Sequence, residues 1–223
     1  MQFLLMTAMN FCQMFEMIEQ IKKGQRVSDT RFDKLFPHEL RSSAQTHWTP
    51  IAVVQKAVEW LTLDLPLDEK LQILDVGSGV GKFCIVGSLI SQAYFVGVER
   101  RKEFVDVSRK IARAHKIERV RFLFGDMGDL DWTVFRGIYL YNPFYENLEG
   151  SPRIDLKVPL NPALHAKYVG EVNNRLSQCK PGTRVVSYYG FGGDFSADWE
   201  KQDLVASEIP QLEFWIKREL SES

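Results

Sequence analysis

The amino-acid sequence predicts an α/β fold, a mostly parallel sheet covered by helices, on three observations. First, residues 71–90 read as strand, glycine turn and helix. Ile73, Leu74 and Val76 form a short apolar run that stops at Gly77, Gly79 and Gly81, and an apolar pattern resumes over residues 83–90. Second, apolar runs of strand length recur at 94–98, 120–124, 137–141 and 183–189, with helix-spaced apolar residues at Phe104, Val107 and Ile111 and again at Leu164, Tyr168, Val172 and Leu176. Third, runs at 204–208 and 212–217 flank Pro210-Gln211 and read as a closing antiparallel hairpin.

Composition narrows the class. Hydrophobic residues at 45% and charged residues at 26% of 223 match an ordinary globular chain, long enough for one sizeable core and a small appendage. A formal net charge of −1 exerts no general pull on nucleic acid or anionic membrane. Cys12, Cys84 and Cys179 are odd in number and unevenly spaced, which suggests reduced thiols rather than a disulfide frame or a metal site. The N-terminal apolar stretch has no basic residue before it and meets Glu16 soon after, a poor fit to a signal peptide. No run of about 18 apolar residues occurs. The expectation is a soluble, cytoplasmic protein without metal or membrane.

Residues 1–68 form a helical extension ahead of the first strand, with 69–223 as the main domain. Phe11, Met14, Phe15, Ile18 and Ile21 recur at helical spacing, and Gly24 suits a helix end. A short helix is expected after Pro37. In the next one Thr49 can cap, Pro50 suits the first turn, and Ile51, Val54, Val58 and Leu61 line one face. His47-Trp48, at the loop before that helix, can close over a ligand or stack on a substrate; equally, Trp48 can be a packing anchor. These helices are expected to pack on the main domain as a lid or a dimer surface.

Beyond the glycine turn, Glu99 ends the second strand about 20 residues on, where a carboxylate can accept from both hydroxyls of a ribose. A salt bridge to Arg100 or Arg101 is the competing use. Residues 99–121 hold nine Lys or Arg (100, 101, 102, 109, 110, 113, 116, 119, 121) against four acidic residues (99, 103, 106, 118), either a patch for an acidic partner or the wet face of a helix. Gly125-Asp126-Met127 ends the third strand, and Asp126 is a ligand or a turn residue. Asn142-Pro143-Phe144-Tyr145 breaks the fourth strand beside the point where open parallel sheets bind ligands. Residues 146–160 form a loop long enough to cover a substrate.

The glycine spacing discriminates among ligands. A dinucleotide fingerprint needs glycine or alanine where Lys82 stands, and a phosphate loop needs a hydroxyl where Phe83 stands. What remains is G-x-G-x-G with Asp75 two positions before the first glycine. That pattern resembles the S-adenosyl-L-methionine motif of the Rossmann-like, class I methyltransferases. The resemblance spans about residues 69–219 through DVGSGVGK, VGVE, GD and NPF. It implies a sheet of order 3-2-1-4-5-7-6 with the last strand antiparallel. It further implies a cofactor site of Asp75, Gly77, Ser78, Gly79, Gly81, Glu99, Arg100, Asp126 and Met127, with the adenine amine at Asp126. Within that superfamily the chain looks most like the Dot-one-type non-SET lysine methyltransferases, which share GSGVG and GVE and an Asn-Asn-Phe turn where Asn142-Pro143-Phe144 stands here. NPFY also resembles the Asn-Pro-Pro-Tyr loop of enzymes that methylate planar amines, with Phe144 in place of the second proline. Both imply a nitrogen acceptor. Asn142 and Tyr145 are the catalytic candidates, Asn142 also touching the cofactor, and His47, Trp48, Phe144, Tyr145 and Tyr188 are candidates for the substrate side. The acceptor itself, protein, nucleic acid or small molecule, stays open, as does the oligomeric state. A non-catalytic module that holds the cofactor is the alternative from another class, and an NAD-linked oxidoreductase a third.

Overall fold

A computed structural model describes residues 2–66, 71–155, 160–203 and 209–219, with the side chains of the first helix described from residue 12. Seven strands form one sheet, β1 (Gln72–Val76), β2 (Tyr94–Glu99), β3 (Val120–Phe124), β4 (Gly137–Tyr141), β5 (Arg184–Tyr188), β6 (Trp199–Lys201) and β7 (Leu212–Lys217), in the order β3-β2-β1-β4-β5-β7-β6. The first five are mutually parallel; β7 runs antiparallel to both β5 and β6. The sheet is the one the resemblance implied.

Seven α-helices accompany it among the described residues: α1 (Gln2–Lys22), α2 (Asp29–Phe32), α3 (Ala44–His47), α4 (Ile51–Thr62), α5 (Lys82–Ile90), α6 (Lys102–Ala114) and α7 (Pro162–Gln178). Strand alternation divides the core. Ile73, Phe95, Tyr139 and Val186 face α4, α5 and α6, whereas Leu74, Val96, Ile138 and Val185 face α7. Helices α1 and α4 share the first of these clusters, so the N-terminal extension packs into the core of the sheet.

Local signals hold in part. Gly24 closes α1 at φ 69°, with Gly24 N–H on Ile21 and Gln25 N–H on Gln20, the paired bonds of a Schellman end. The buried stripe of α1 is Met17, Ile18 and Ile21; Phe15, expected inside, is 59% exposed. After Pro37 comes a 3-10 turn, His38–Ser43, running into α3. Thr49 does not cap α4. Its hydroxyl pairs with the Tyr139 hydroxyl at 3.2 Å, and the first-turn N–H of Ile51 is instead capped from 22 residues away by Asp29 Oδ1 at 2.9 Å. The closing strand pair is also shifted: β7 is 212–217 as expected, but its outer partner is Trp199–Lys201, where Trp199 is buried against Phe195. Residues 204–208 of the expected hairpin lie outside those described.

Candidate active site

The carboxyl ends of the parallel strands open into one cavity of about 520 Å³. It lies where the strand order reverses between β1 and β4, because the chain leaves β1 to one side and returns on the other. Gly77, Gly79, Glu99, Arg100, Asp126, Met127, Asn142, Phe144, Tyr145, His47, Trp48 and Tyr188 all line it, so twelve of the fifteen sequence candidates meet in one place.

The floor is the glycine turn. Gly77 and Gly79 sit at φ 72° and 54°, a region L side chains rarely adopt, and a Cβ on Gly77 would come within 3.2 Å of Pro143 Cβ. Bare backbone therefore faces the cavity there, a cradle that a ligand can approach closely. Gly81, Ser78 and Asp75 are not among the lining residues. Gly81 supports α5, where an added Cβ would meet the Phe122 ring at 2.4 Å. The Ser78 hydroxyl is buried, with no hydrogen-bond partner among the described residues. Asp75 lies on the opposite face of β1 from Val76, since neighbours in a strand point oppositely. It is 4% exposed and accepts from the Cys84 thiol at 3.4 Å. Burial pushes its pKa up to about 7, against the Cys84 hydrogen bond.

Glu99 is the best-held of the lining carboxylates. It is 6% exposed, Oε2 accepting from Gly79 N–H at 3.0 Å and Oε1 from Arg101 N–H at 2.7 Å, with the Arg101 guanidinium 3.9 Å away. Burial raises its pKa, and the Arg101 N–H and cation and the Gly79 N–H oppose that. Each oxygen keeps a lone pair for a further donor. Asp126 caps the 3-10 turn Met127–Asp129 through Gly128 N–H at 3.0 Å, and its other oxygen faces Arg100 at 3.8 Å. Asp126 is thus a turn residue that also lines the cavity.

Across β1 stands the aromatic side. Asn142 ends β4 in a left-handed conformation, φ 33°, its N–H donating to Gly190 at 3.0 Å and its carbonyl accepting from Tyr145 at 3.1 Å. Among the described residues its side-chain amide makes no hydrogen bond. Phe144 is buried and stacks on Tyr168, whose hydroxyl accepts from Arg100. Trp48 packs on Phe36 with ring centroids 4.8 Å apart and also lines the cavity, so it is anchor and wall together. His47 is half-buried, which lowers its pKa.

Several lining residues carried no local signal. Tyr141 donates to the Thr46 carbonyl at 2.9 Å, fastening the extension to the mouth of the cavity, and Tyr189 follows at the end of β5. Arg101 holds the covering loop through Glu146 at 2.7 Å and Asp155 at 2.9 Å. Part of the run of basic residues is engaged within the fold: Arg109 donates to Phe122, Arg119 to Ser88 and Ser91, and Lys102 pairs with Asp106 at the surface.

A family model described as a methyltransferase domain matches residues 67–137, the stretch from the first strand to the start of the fourth. An RNA methyltransferase from Salinibacter ruber, solved with S-adenosyl-L-homocysteine, is 25% identical over 78% of this chain and 97% of its own, at a TM-score of 0.50. The chain carries a methyltransferase domain on this fold and is an S-adenosylmethionine-dependent methyltransferase. The methyltransferase fold recurs in TrmN from Thermus thermophilus, 14% identical over 80% of this chain and 52% of that one, at a TM-score of 0.53. It recurs again in SMU.1697c from Streptococcus mutans, solved with S-adenosyl-L-homocysteine, 14% identical over 74% and 97%, at 0.51. No curated protein matches the chain. Among the described residues no group of His, Cys, Asp and Glu could hold a metal ion, and no helix is long and apolar enough to cross a membrane.

Proposed function

We propose that this methyltransferase delivers its methyl group to an amine or amide nitrogen aligned by Asn142. One observation carries the reading: among the described residues the Asn142 side chain has no hydrogen-bond partner, while two backbone hydrogen bonds fix its main chain at the wall of the cavity that Gly77 and Gly79 also line. A fixed amide carbonyl can accept an N–H of the incoming nitrogen and aim its lone pair. The NPFY turn supports the same acceptor, since both families it resembles methylate nitrogen.

Bound S-adenosyl-L-methionine supplies a methyl on a positive sulfur, ready for in-line displacement. The chain's part is to bind, orient and keep water out. Gly77 and Gly79 would take the methionine end against bare backbone, Glu99 the two ribose hydroxyls, and Asp126 with the Met127 N–H the adenine edge, with Arg100 beside them. Asp75, Ser78 and Gly81 would act from beneath, by holding the turn in shape. Residues 1–68 would serve as an extension that completes the acceptor side through His47 and Trp48, and 69–223 as the catalytic domain. Phe144, Tyr145 and Tyr188 would wall the slot. A lysine acceptor, as in the Dot-one-type enzymes, rests on the loop motifs; the likeness to the Salinibacter RNA methyltransferase favours RNA.

The test is transfer of tritiated methyl into fractionated cell extract, with the labelled atom then identified. Label on nitrogen, lost in Asn142→Ala while S-adenosyl-L-homocysteine still binds, is the expected result. Label on carbon or oxygen would overturn the proposal.

A further inference from the structure

The cavity has two chemically different ends, and strand order decides which is which. Glu99 closes β2 and Asp126 follows β3, both to one side of β1; Tyr141 closes β4 and Tyr188 closes β5, on the other side. Tyr141 and Tyr188 are register partners, with ring centroids 4.9 Å apart, and Tyr189 adds a third ring 4.6 Å from Tyr188 and 6.3 Å from Tyr141. The three rings, tilted to one another by 43°, 32° and 59°, form one uneven aromatic shelf.

Part of that aromatic end faces outward. Tyr189 is 51% exposed and Tyr145 37%, large rings left at the mouth of a cavity rather than packed inside it. Tyr189 also holds a left-handed backbone, φ 59°, which is unfavourable for a bulky residue and is fixed by its own N–H on Gln211 and by the Asn142 bond to Gly190. Anions that would recruit an alkylammonium are already engaged. The lining carboxylates are Glu99, Asp126 and Glu146: the first accepts from two backbone N–H groups, the second caps a turn beside Arg100, and the third pairs with Arg101 and accepts from Ile154 N–H at 3.2 Å. Among the described residues an aliphatic amine would meet rings and only carboxylates that already hold a donor or a cation.

We propose that the acceptor is an uncharged, planar nitrogen heterocycle of the nucleobase class, stacked on the Tyr141–Tyr188–Tyr189 shelf with its exocyclic or ring nitrogen at Asn142. This rests on the nitrogen-transfer reading above and names its substrate class. A flat neutral ring can stack on one of these tilted tyrosines and meet the others edge-on, and it needs no counter-ion. The methyl carbon forms its bond to the nitrogen as the carbon–sulfur bond breaks, the sulfur keeps that electron pair, and the nitrogen's proton then passes to water. Because Tyr189 stands at the mouth, the ring enters from outside, as an unpaired base of a single strand or as a free nucleoside.

The full-length protein would be given tritiated-methyl donor with four acceptors in parallel: single-stranded RNA of mixed sequence, the same sequences as DNA, free nucleosides, and an unstructured lysine-containing peptide. Label should appear in a base in at least one of the first three arms, and the arm identifies the source. Tyr189→Gly removes the ring and relieves the backbone, so it folds; it should raise the acceptor KM roughly tenfold to a hundredfold, with S-adenosyl-L-homocysteine affinity within about twofold. Tyr189→Phe, which keeps the ring, should lose far less. Label confined to the peptide, or an acceptor KM untouched by Tyr189→Gly, overturns the nucleobase assignment. So does labelled nitrogen in whole extract with none in the three base arms, which leaves nitrogen transfer standing. No label on nitrogen even in whole extract would sink both.

Discussion

Lys82 Nζ lies 2.7 Å from Asp33 Oδ1 and equally close to Asp29 Oδ1, so the lysine that follows the glycine turn is bonded to the N-terminal extension. Lys82 is only 3% exposed, and Asp29 also caps α4 through Ile51. One cation thus ties the cofactor-side helix to the segment that carries His47 and Trp48 into the cavity.

Lys82→Met should therefore destabilise the protein by about 3 kcal/mol, the lower part of the range for breaking a buried pair, because Asp29 can rehydrate. Burial already raises the Asp33 pKa, with Lys82 opposing, so losing the cation leaves an unpaired buried carboxylate. Urea unfolding would measure the loss. Adding Asp33→Asn to Lys82→Met should recover part of it, and a simple sum of two losses would contradict the pairing.

Asp75 makes a pH-dependent prediction. Its folded pKa, about 7, stands above the unfolded 3.8, so its protonated form is the one the fold favours. Stability from this group is complete below about pH 4 and is lost as pH rises through 7. Asp75→Asn stays neutral throughout. The stability difference between variant and wild type should be small at pH 4 and grow in the variant's favour to at most about 4 kcal/mol at pH 8. A difference that does not change with pH would show that Asp75 does not titrate there.

For Glu99→Gln the expected outcome is weaker cofactor binding, with the dissociation constant of S-adenosyl-L-homocysteine raised about tenfold or more by calorimetry. The amide keeps one acceptor but brings an NH₂ against either Gly79 N–H or Arg101 N–H, both now donating to this side chain. Unchanged affinity would remove Glu99 from the ribose contact.

Asn142 separates catalysis from backbone. Asn142→Gly suits φ 33° and removes the amide, whereas Asn142→Ala also strains the turn. Both should lower kcat about a hundredfold or more and leave cofactor affinity intact, and only the alanine variant should cost stability, about 1 kcal/mol. Retained turnover in Asn142→Gly would show that the amide does not align the acceptor.

How legible the molecule is depends on the range of each interaction. Strand runs, the glycine turn and the end of α1 at Gly24 follow from residues within a few positions of one another, and all are readable along the chain. The misjudged details are those settled at a distance. Phe15 satisfies the helical period, yet the neighbouring Met17 faces the core instead; Thr49 has the chemistry of a cap, yet Tyr139, 90 residues on, takes its hydroxyl. Asp75 sits two positions before the first glycine, but strand alternation turns it from the cavity towards Cys84.

Sequence alone determined the alternation of the five parallel strands with their helices, the bare-backbone turn and the acidic residue that closes β2, because periodicity, glycine and spacing are properties of short stretches. Tertiary structure alone decided which of the candidate residues face the cavity and which further side chains join them. The parallel sheet brings together ends of strands far apart in the chain, so Tyr141 meets Tyr188, and Arg101 reaches Asp155 across 54 residues. Those meetings arise from packing, which no local pattern encodes.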